Sequence, residues 1–195
     1  MINKLKQRLH GYIPRTFNSA RPEAGVLIAL TDNAADPQVV LTRRAGHLST
    51  HGGEIAFPGG KRDAEDRDLL FTALREAEEE VGLSPSEVEV LGPLGQVMSK
   101  HNLRVTPFVG VISADTELVP NLDELDRVFK VPLSFFLEDH RHHTDAILFK
   151  GKTHYVPAYE FEGNIIWGLT AYMLIEMLNI GFDANIPMKT RPEHR

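Results

Sequence analysis

The chain contains no cysteine, which excludes a disulfide framework and thiol chemistry. It lacks an apolar run long enough to span a bilayer, and its first segment, MINKLKQRLHGYIPR, has no signal-peptide core. A cytoplasmic protein with no membrane partner is therefore expected. An excess of positive charge is also missing: 21 Lys and Arg stand against 27 Asp and Glu, for a net charge of −6. That balance argues against a non-specific nucleic-acid binder, which needs a basic face, so no nucleic-acid partner is expected. A locally positive site for a small anionic ligand is still compatible with that balance. Neither an internal repeat nor a low-complexity tract is present. What remains is ordinary globular composition, 42% hydrophobic and 25% charged over 195 residues. That length suits a single domain, 1–195, with a sizeable core.

Residues 1–20 read as a short amphipathic helix (Ile2, Leu5, Leu9) and an irregular arm. The apolar runs 25–31 and 38–44 flank the turn-rich DNAADP and predict a hairpin. Residues 53–63 form an extended piece broken at Pro58-Gly59-Gly60. A helix is predicted over roughly 67–82, with Asp66 or Asp68 as N-cap and Gly82 near its end. Strands are predicted over 87–97 and 104–113, a short helix over 131–139, and a hairpin over 146–163 turning at Gly151-Lys152. The run 165–180 predicts a terminal helix with Ile166, Leu169, Met173, Met177 and Ile180 on one stripe. The segment 186–195 has few apolar residues and is expected to be a mobile tail. Helices and strands mix irregularly, which indicates an α+β fold.

REAEEEVGL, residues 75–83, concentrates four glutamates in five positions. Like charges on neighbouring helical turns repel by about a few tenths of a kcal/mol each, so something should offset them. On a helical wheel Leu70, Leu74, Ala77 and Val81 share one stripe, and Glu76, Glu79 and Glu80 cluster roughly 140° from it. Arg75 lies one turn before Glu79 and can hold its carboxylate. Three carboxylates within a turn offer oxygen ligands to a hard cation such as Mg²⁺ or Mn²⁺. Taken alone, the same pattern also suits a solvated acidic face.

The residues just upstream favour the first reading. FPGG, residues 57–60, precedes the helix, and tandem glycines let backbone approach a ligand closely. Gly60 together with Arg75 to Leu83 resembles the Nudix box, which runs from a glycine past one acidic residue to R-E-U-x-E-E-x-G-U, U being apolar. The nine positions 75–83 all fit. Gly60 to Arg75 is fifteen positions, one more than in the box, and Asp66 and Asp68 flank the place of the early glutamate. In the family that acid mainly supports the loop–helix structure. The stretch VLTRRAGHLSTHGGEIAFPGG, residues 40–60, resembles the signature upstream of the box in coenzyme A pyrophosphatase-like members. Leu41, Thr42, Arg44, Ala45, Gly53 and Phe57 to Gly60 fit it. Val40 replaces a leucine, and Ser49 stands where an arginine is expected.

The resemblance implies a Nudix α/β/α sandwich around a mixed sheet. It also implies metal-dependent hydrolysis of a nucleoside diphosphate derivative. For coenzyme A the products are 3′,5′-ADP and 4′-phosphopantetheine; ADP-ribose or a dinucleotide is the alternative substrate, and a non-catalytic binding module a remoter one. Glu76, Glu79 and Glu80 are the implied metal ligands, with a backbone carbonyl at Gly60. Glu79 is either ligand or catalytic base, and Arg75 and Glu80 belong to the catalytic group. Arg44 is the candidate phosphate contact, because guanidinium matches phosphate bidentately. Gly59, Gly60 and Lys61 join it as substrate-binding candidates. Glu124 is a candidate later carboxylate, against a plain turn or surface-helix role. His51 is expected to support the glycine turn, Arg62 to be solvated, and the loop 99–102 to suit a binding role. HRHH, residues 140–143, lacks the spacing of a zinc site and reads as an exposed loop. Oligomeric state is not fixed by the sequence, and a homodimer stays open.

Overall fold

The computed structural model describes residues 1–18 and 20–188. Its elements are α1 (Ile2–His10), β1 (Glu23–Thr31), β2 (Gln38–Arg44), β3 (Ile55–Ala56), β4 (Gly59–Lys61), α2 (Leu69–Val81), β5 (Glu89–Pro93), β6 (Val97–Met98), β7 (Arg104–Ile112), β8 (Leu125–Pro132), α3 (Leu133–Leu137), β9 (Arg141–Phe149), β10 (Lys152–Phe161), β11 (Asn164–Ile166) and α4 (Gly168–Phe182).

The main sheet is mixed, as expected. β1 and β7 run parallel from Glu23↔Arg104 to Thr31↔Ile112, and the other pairings are antiparallel. β1 is buried on both faces, which explains its nearly continuous apolar run. Ala24, Ile28 and Leu30 enter the core shared with α1 and α4, while Leu27 and Ala29 enter the one beneath α2. This alternation follows the two-residue period of a strand. The result is a three-layer arrangement with the sheet between α2 and the α1–α4 side.

β1 and β2 pair at Leu30↔Val39, but β4 pairs with β1 at Ala24↔Lys61 to Val26↔Gly59, and β3 pairs with β2 at Thr42↔Ala56. The chain from Ile55 to Lys61 is thus wedged between two strands that diverge. That wedge carries Gly59 and Gly60 under α2.

Several expectations change. Residues 125–132 form β8 on the outer side of β2, an element not foreseen. The helix expected over 131–139 shortens to α3, because Val131 and Pro132 still belong to β8. The terminal helix begins at Gly168, and Ile166 reaches the core from β11. HRHH is no exposed loop: Arg141 starts β9 and its side chain is fully buried, although His142 is exposed. Of the segment expected to be mobile, Ile186 is buried and exchanges two hydrogen bonds with the Asn179 side chain, 2.7 and 3.1 Å. Residues 189–195 of that tail lie outside the described residues. A second, three-stranded sheet of β11, β10 and β9 contains the predicted hairpin. Among the described residues no helix is long and apolar enough to cross a membrane.

Candidate active site

Helix α2 starts where Asp68 accepts a hydrogen bond from the Phe71 N–H at 2.7 Å, a side-chain N-cap. It ends at Gly82, whose φ of 69° is left-handed and favours glycine. Its most buried face is Thr72, Ala73, Ala77 and Val81, while Leu70 and Leu74 are only half-buried. The buried face is thus rotated from the stripe expected on the wheel. Small residues set this rotation, since Ala73 lies against Gly25 of β1.

The rotation separates the three glutamates. Glu76 and Glu80 are half-buried and turn toward β4, whereas Glu79 has a side chain 56% exposed. A methyl group on Gly60 would stand 2.5 Å from the Glu76 carboxyl carbon, so a larger residue there would push that carboxylate aside. The Gly59 N–H points at Glu80 Oε2 across 3.4 Å. Arg75 donates to both Glu79 oxygens at 3.2 and 3.3 Å, the expected i,i+4 contact, and to Glu76 Oε1 at 3.2 Å.

Arg75 has a stronger partner. Its Nε and Nη2 donate to the two oxygens of Asp66, both at 2.9 Å, a bidentate pair. Asp66 is buried and also accepts from Thr72 Oγ1 and the Asp63 N–H. The Arg75 guanidinium, seconded by these donors, holds the Asp66 carboxyl well below the usual range. Asp66 therefore fills the place of the box's early acid despite the extra residue in the spacing.

Electrostatics single out the other carboxylates. Burial, reinforced by Glu76, pushes the Glu80 carboxyl up to about 8. Burial also raises Glu76, against the pull of Arg75. The exposed Glu124, in the turn before β8, adds negative charge that raises both. Arg44 acts on Glu80 in the opposite sense, which places its charge at the same site. Its Nε donates to the Thr50 carbonyl at 2.9 Å. His51 contacts Glu54 at 3.0 Å within the β2–β3 loop and meets the His101 ring edge-on at 5.5 Å. The loop 99–102 is thereby brought beside the β2–β3 loop. Lys61 is exposed, and its carbonyl accepts from Arg75 at 3.4 Å. Arg62, expected to be solvated, is exposed and also bonds Glu23 and two loop carbonyls.

These donors suit a hard divalent cation. Burial raises both of these neighbouring carboxyls, with charge from nearby glutamates adding to it, and oxygen is the preferred donor of Mg²⁺ and Mn²⁺. Among the described residues no three His, Asp or Glu groups converge into a ligand cluster. Glu79 is the member that turns away, to Arg75. Mg²⁺ commonly takes one or two carboxylates and completes its shell with water and substrate phosphate, which two glutamates satisfy.

A family model described as the NUDIX domain matches residues 21–149. An uncharacterized Nudix hydrolase, NudL, of Yersinia pestis (strain Pestoides F) is 42% identical over 158 residues, 81% of this chain and 79% of the relative. The NudL protein of Yersinia pseudotuberculosis serotype O:1b (strain IP 31758) matches to the same extent. Among solved structures, a MutT/nudix family protein from Enterococcus faecalis superposes with a TM-score of 0.55 at 15% identity, over 92% of this chain and 68% of that one. RenU, a Nudix hydrolase from M. smegmatis, gives 0.51 at 22% identity, over 66% and 83%. At such identities the structural likeness speaks for the fold.

Proposed function

The chain belongs to the Nudix hydrolase family, and from that premise we propose that it hydrolyses the diphosphate of coenzyme A or its thioesters with Mg²⁺ or Mn²⁺. Cleavage of a pyrophosphate bond is the activity of a Nudix hydrolase of the NudL type. The observation that carries the finer reading is the stretch 40–60. Its β2 end carries Arg44, whose charge works to lower the Glu80 carboxyl, and its last two glycines lie against Glu80 and Glu76.

In this reading Glu76 and Glu80 hold the cation, and Glu124 adds negative charge to the same site. A divalent ion there would neutralise diphosphate charge and acidify nearby water. Arg44 takes a phosphoryl oxygen, and Lys61 extends the positive edge. Arg75, locked by Asp66, orients Glu76 and Glu79. Glu79, exposed and held at its carboxylate by Arg75, accepts a proton from the attacking water. Water adds to one phosphorus, the P–O–P bond breaks, and the leaving phosphate departs on the other product. Coenzyme A yields 3′,5′-ADP and 4′-phosphopantetheine.

Ser49, in place of the signature's arginine, supports a second reading in which ADP-ribose or a dinucleotide is preferred. Hydrolysis of coenzyme A and ADP-ribose by purified protein, with Mg²⁺, with Mn²⁺ and with EDTA, separates the two. Metal-dependent 3′,5′-ADP and 4′-phosphopantetheine are expected on chromatography. A large preference for ADP-ribose overturns the coenzyme A assignment, and equal turnover in EDTA overturns the metal.

A further inference from the structure

Asp66 fixes Arg75, but Asp66 sits in the loop between β4 and α2, and that loop needs its own anchor. Arg62 supplies one. Its Nε and Nη2 donate to the Asp66 carbonyl at 3.3 and 3.1 Å, and Nη2 also reaches the Arg67 carbonyl at 3.2 Å. Its Nη1 donates to Glu23 Oε2 at 3.1 Å. The second Glu23 oxygen is taken by Arg104 Nη2, and the Arg62 N–H donates to the Glu23 carbonyl at 2.9 Å. Arg104 is tied to the N-terminal arm through the Phe17 and Pro22 carbonyls. Burial works against ionisation of Glu23, yet hydrogen bonds from Arg104 and Arg62 hold its carboxyl below the ordinary value.

A continuous path of hydrogen bonds therefore leads from the starts of β1 and β7, through Arg62 and the Asp66 backbone, to the Asp66 carboxylate, Arg75 and Glu76. This chain has a particular need for it. Its loop is one residue longer than the box, and its early acid is an aspartate, one methylene shorter than glutamate. A longer loop with a shorter side chain has more freedom to lose Arg75; Thr72 Oγ1 and the Asp63 N–H hold the Asp66 carboxylate, and Arg62 holds its backbone.

Building on the reading of Glu76 and Glu80 as cation ligands, we infer that Glu23 and Arg62 are positioning residues of the catalytic helix: their ion pair fixes the Asp66 loop and thereby sets where Arg75 places the Glu76 carboxylate. Neither touches the reacting atoms.

The test is Mn²⁺ binding to the full-length chain without substrate, followed by electron paramagnetic resonance, beside kinetics at saturating metal and thermal melting. Glu23→Ala and Arg62→Ala are each expected to weaken Mn²⁺ binding about 10–100-fold, the usual loss for groups that orient ligands. They lower kcat and leave KM unchanged. The double variant loses no more than the worse single one, because both act on one path. Arg62→Lys does not restore binding, since one ammonium lacks the planar fork that serves two carbonyls and a carboxylate. Glu23→Gln, equal in shape, is the variant to use if Glu23→Ala does not fold, with a smaller loss expected. Arg127→Ala, which removes an exposed pair with Glu162 at 3.3 Å, serves as control. Unchanged Mn²⁺ affinity in folded Glu23 and Arg62 variants overturns the inference alone, as does an additive double variant. Wild-type protein that binds no Mn²⁺ overturns the reading of the site, and this inference with it.

Discussion

Two parts of the molecule bury charge, and they do so in opposite ways. At the β9–α4 side the Arg141 guanidinium, fully buried, donates to both Asp139 oxygens at 2.7 and 3.1 Å, to Thr144 Oγ1 at 3.1 Å and to the Pro187 carbonyl at 2.9 Å. Tyr159 adds a hydrogen bond to Asp139 at 3.2 Å. Positive and negative charge meet there, and the polar atoms have protein partners. Beneath α2, Asp66 and Arg75 form a similar satisfied pair, but Glu76 and Glu80 stand beside it as carboxyl groups in excess of their cationic partners. A network that serves the fold closes on itself. The one beneath α2 leaves carboxyl groups over, and burial raises Glu80 and Glu76, the kind of perturbation that clusters at functional sites.

The largest expected effect tests that contrast directly. Glu80→Gln keeps the shape of the side chain and removes the charge. Turnover should fall by several orders of magnitude at saturating Mg²⁺, with the melting temperature unchanged or raised. An active Gln variant with the same metal requirement contradicts the ligand assignment and erases the difference between the two regions.

The pH dependence sharpens it. The Glu80 carboxyl is raised from its ordinary 4.5 to about 8, so the folded chain keeps a proton that the unfolded chain has released. Stability from this group is fully present below the unfolded value and is lost as pH rises through about 8. Without metal, wild-type stability relative to Glu80→Gln should therefore fall between about pH 5 and pH 9, by on the order of a few kcal/mol. Metal must displace the same proton. Its apparent affinity should therefore weaken by up to about tenfold per pH unit below 8. Calorimetry of Mg²⁺ or Mn²⁺ binding across that range reads the slope. A flat profile means that Glu80 meets the ion already ionised.

Arg141→Met asks the converse of the closed network. Removing one partner of a buried pair costs about 3–5 kcal/mol, because the other charge stays buried. Denaturant unfolding should show that loss, while kcat and metal affinity of the folded fraction stay as in wild type. A drop in kcat with metal affinity intact would show that the β9 side feeds the site.

Much of the candidate site's arrangement was legible in the sequence because its residues are local. Arg75 to Val81 lie on one helix, so their spacing reports their neighbourhood, and the tandem glycines, read as a place of close backbone approach, leave the room that Glu76 fills beside Gly60. The rotation of α2 was not legible. The wheel weighs Leu70 and Leu74 above Ala73, whereas the backbone of β1 at Gly25 selects the smaller side chain. Asp66 was visible only as one of two acids flanking a gap, since its partner Arg75 is nine residues away. Arg141 was misread for a similar reason: HRHH is polar among polar neighbours, and its burial comes from Asp139 and from Pro187, 46 residues on. β8 escaped notice because it pairs along β2, far away in sequence, and its own segment mixes charged and apolar residues. The Glu23–Arg62–Arg104 chain joins β1, β7 and the loop after β4 and has no local signal at all.

The smallest effect concerns the start of α2. Asp68 caps the helix by accepting from the Phe71 N–H at 2.7 Å, and Asp68→Ala should cost about 1 kcal/mol of stability. The Asp66–Arg75 pair and the Thr72–Asp66 hydrogen bond, 2.8 Å, hold the same turn independently. The first turn can therefore fray without moving Glu76, which lies two turns further along. Turnover and metal affinity should match wild type while the melting temperature falls slightly. If kcat falls tenfold with that small loss of stability, the helix is positioned from its cap, and the Asp66–Arg75 pair is then as purely structural as the network around Arg141.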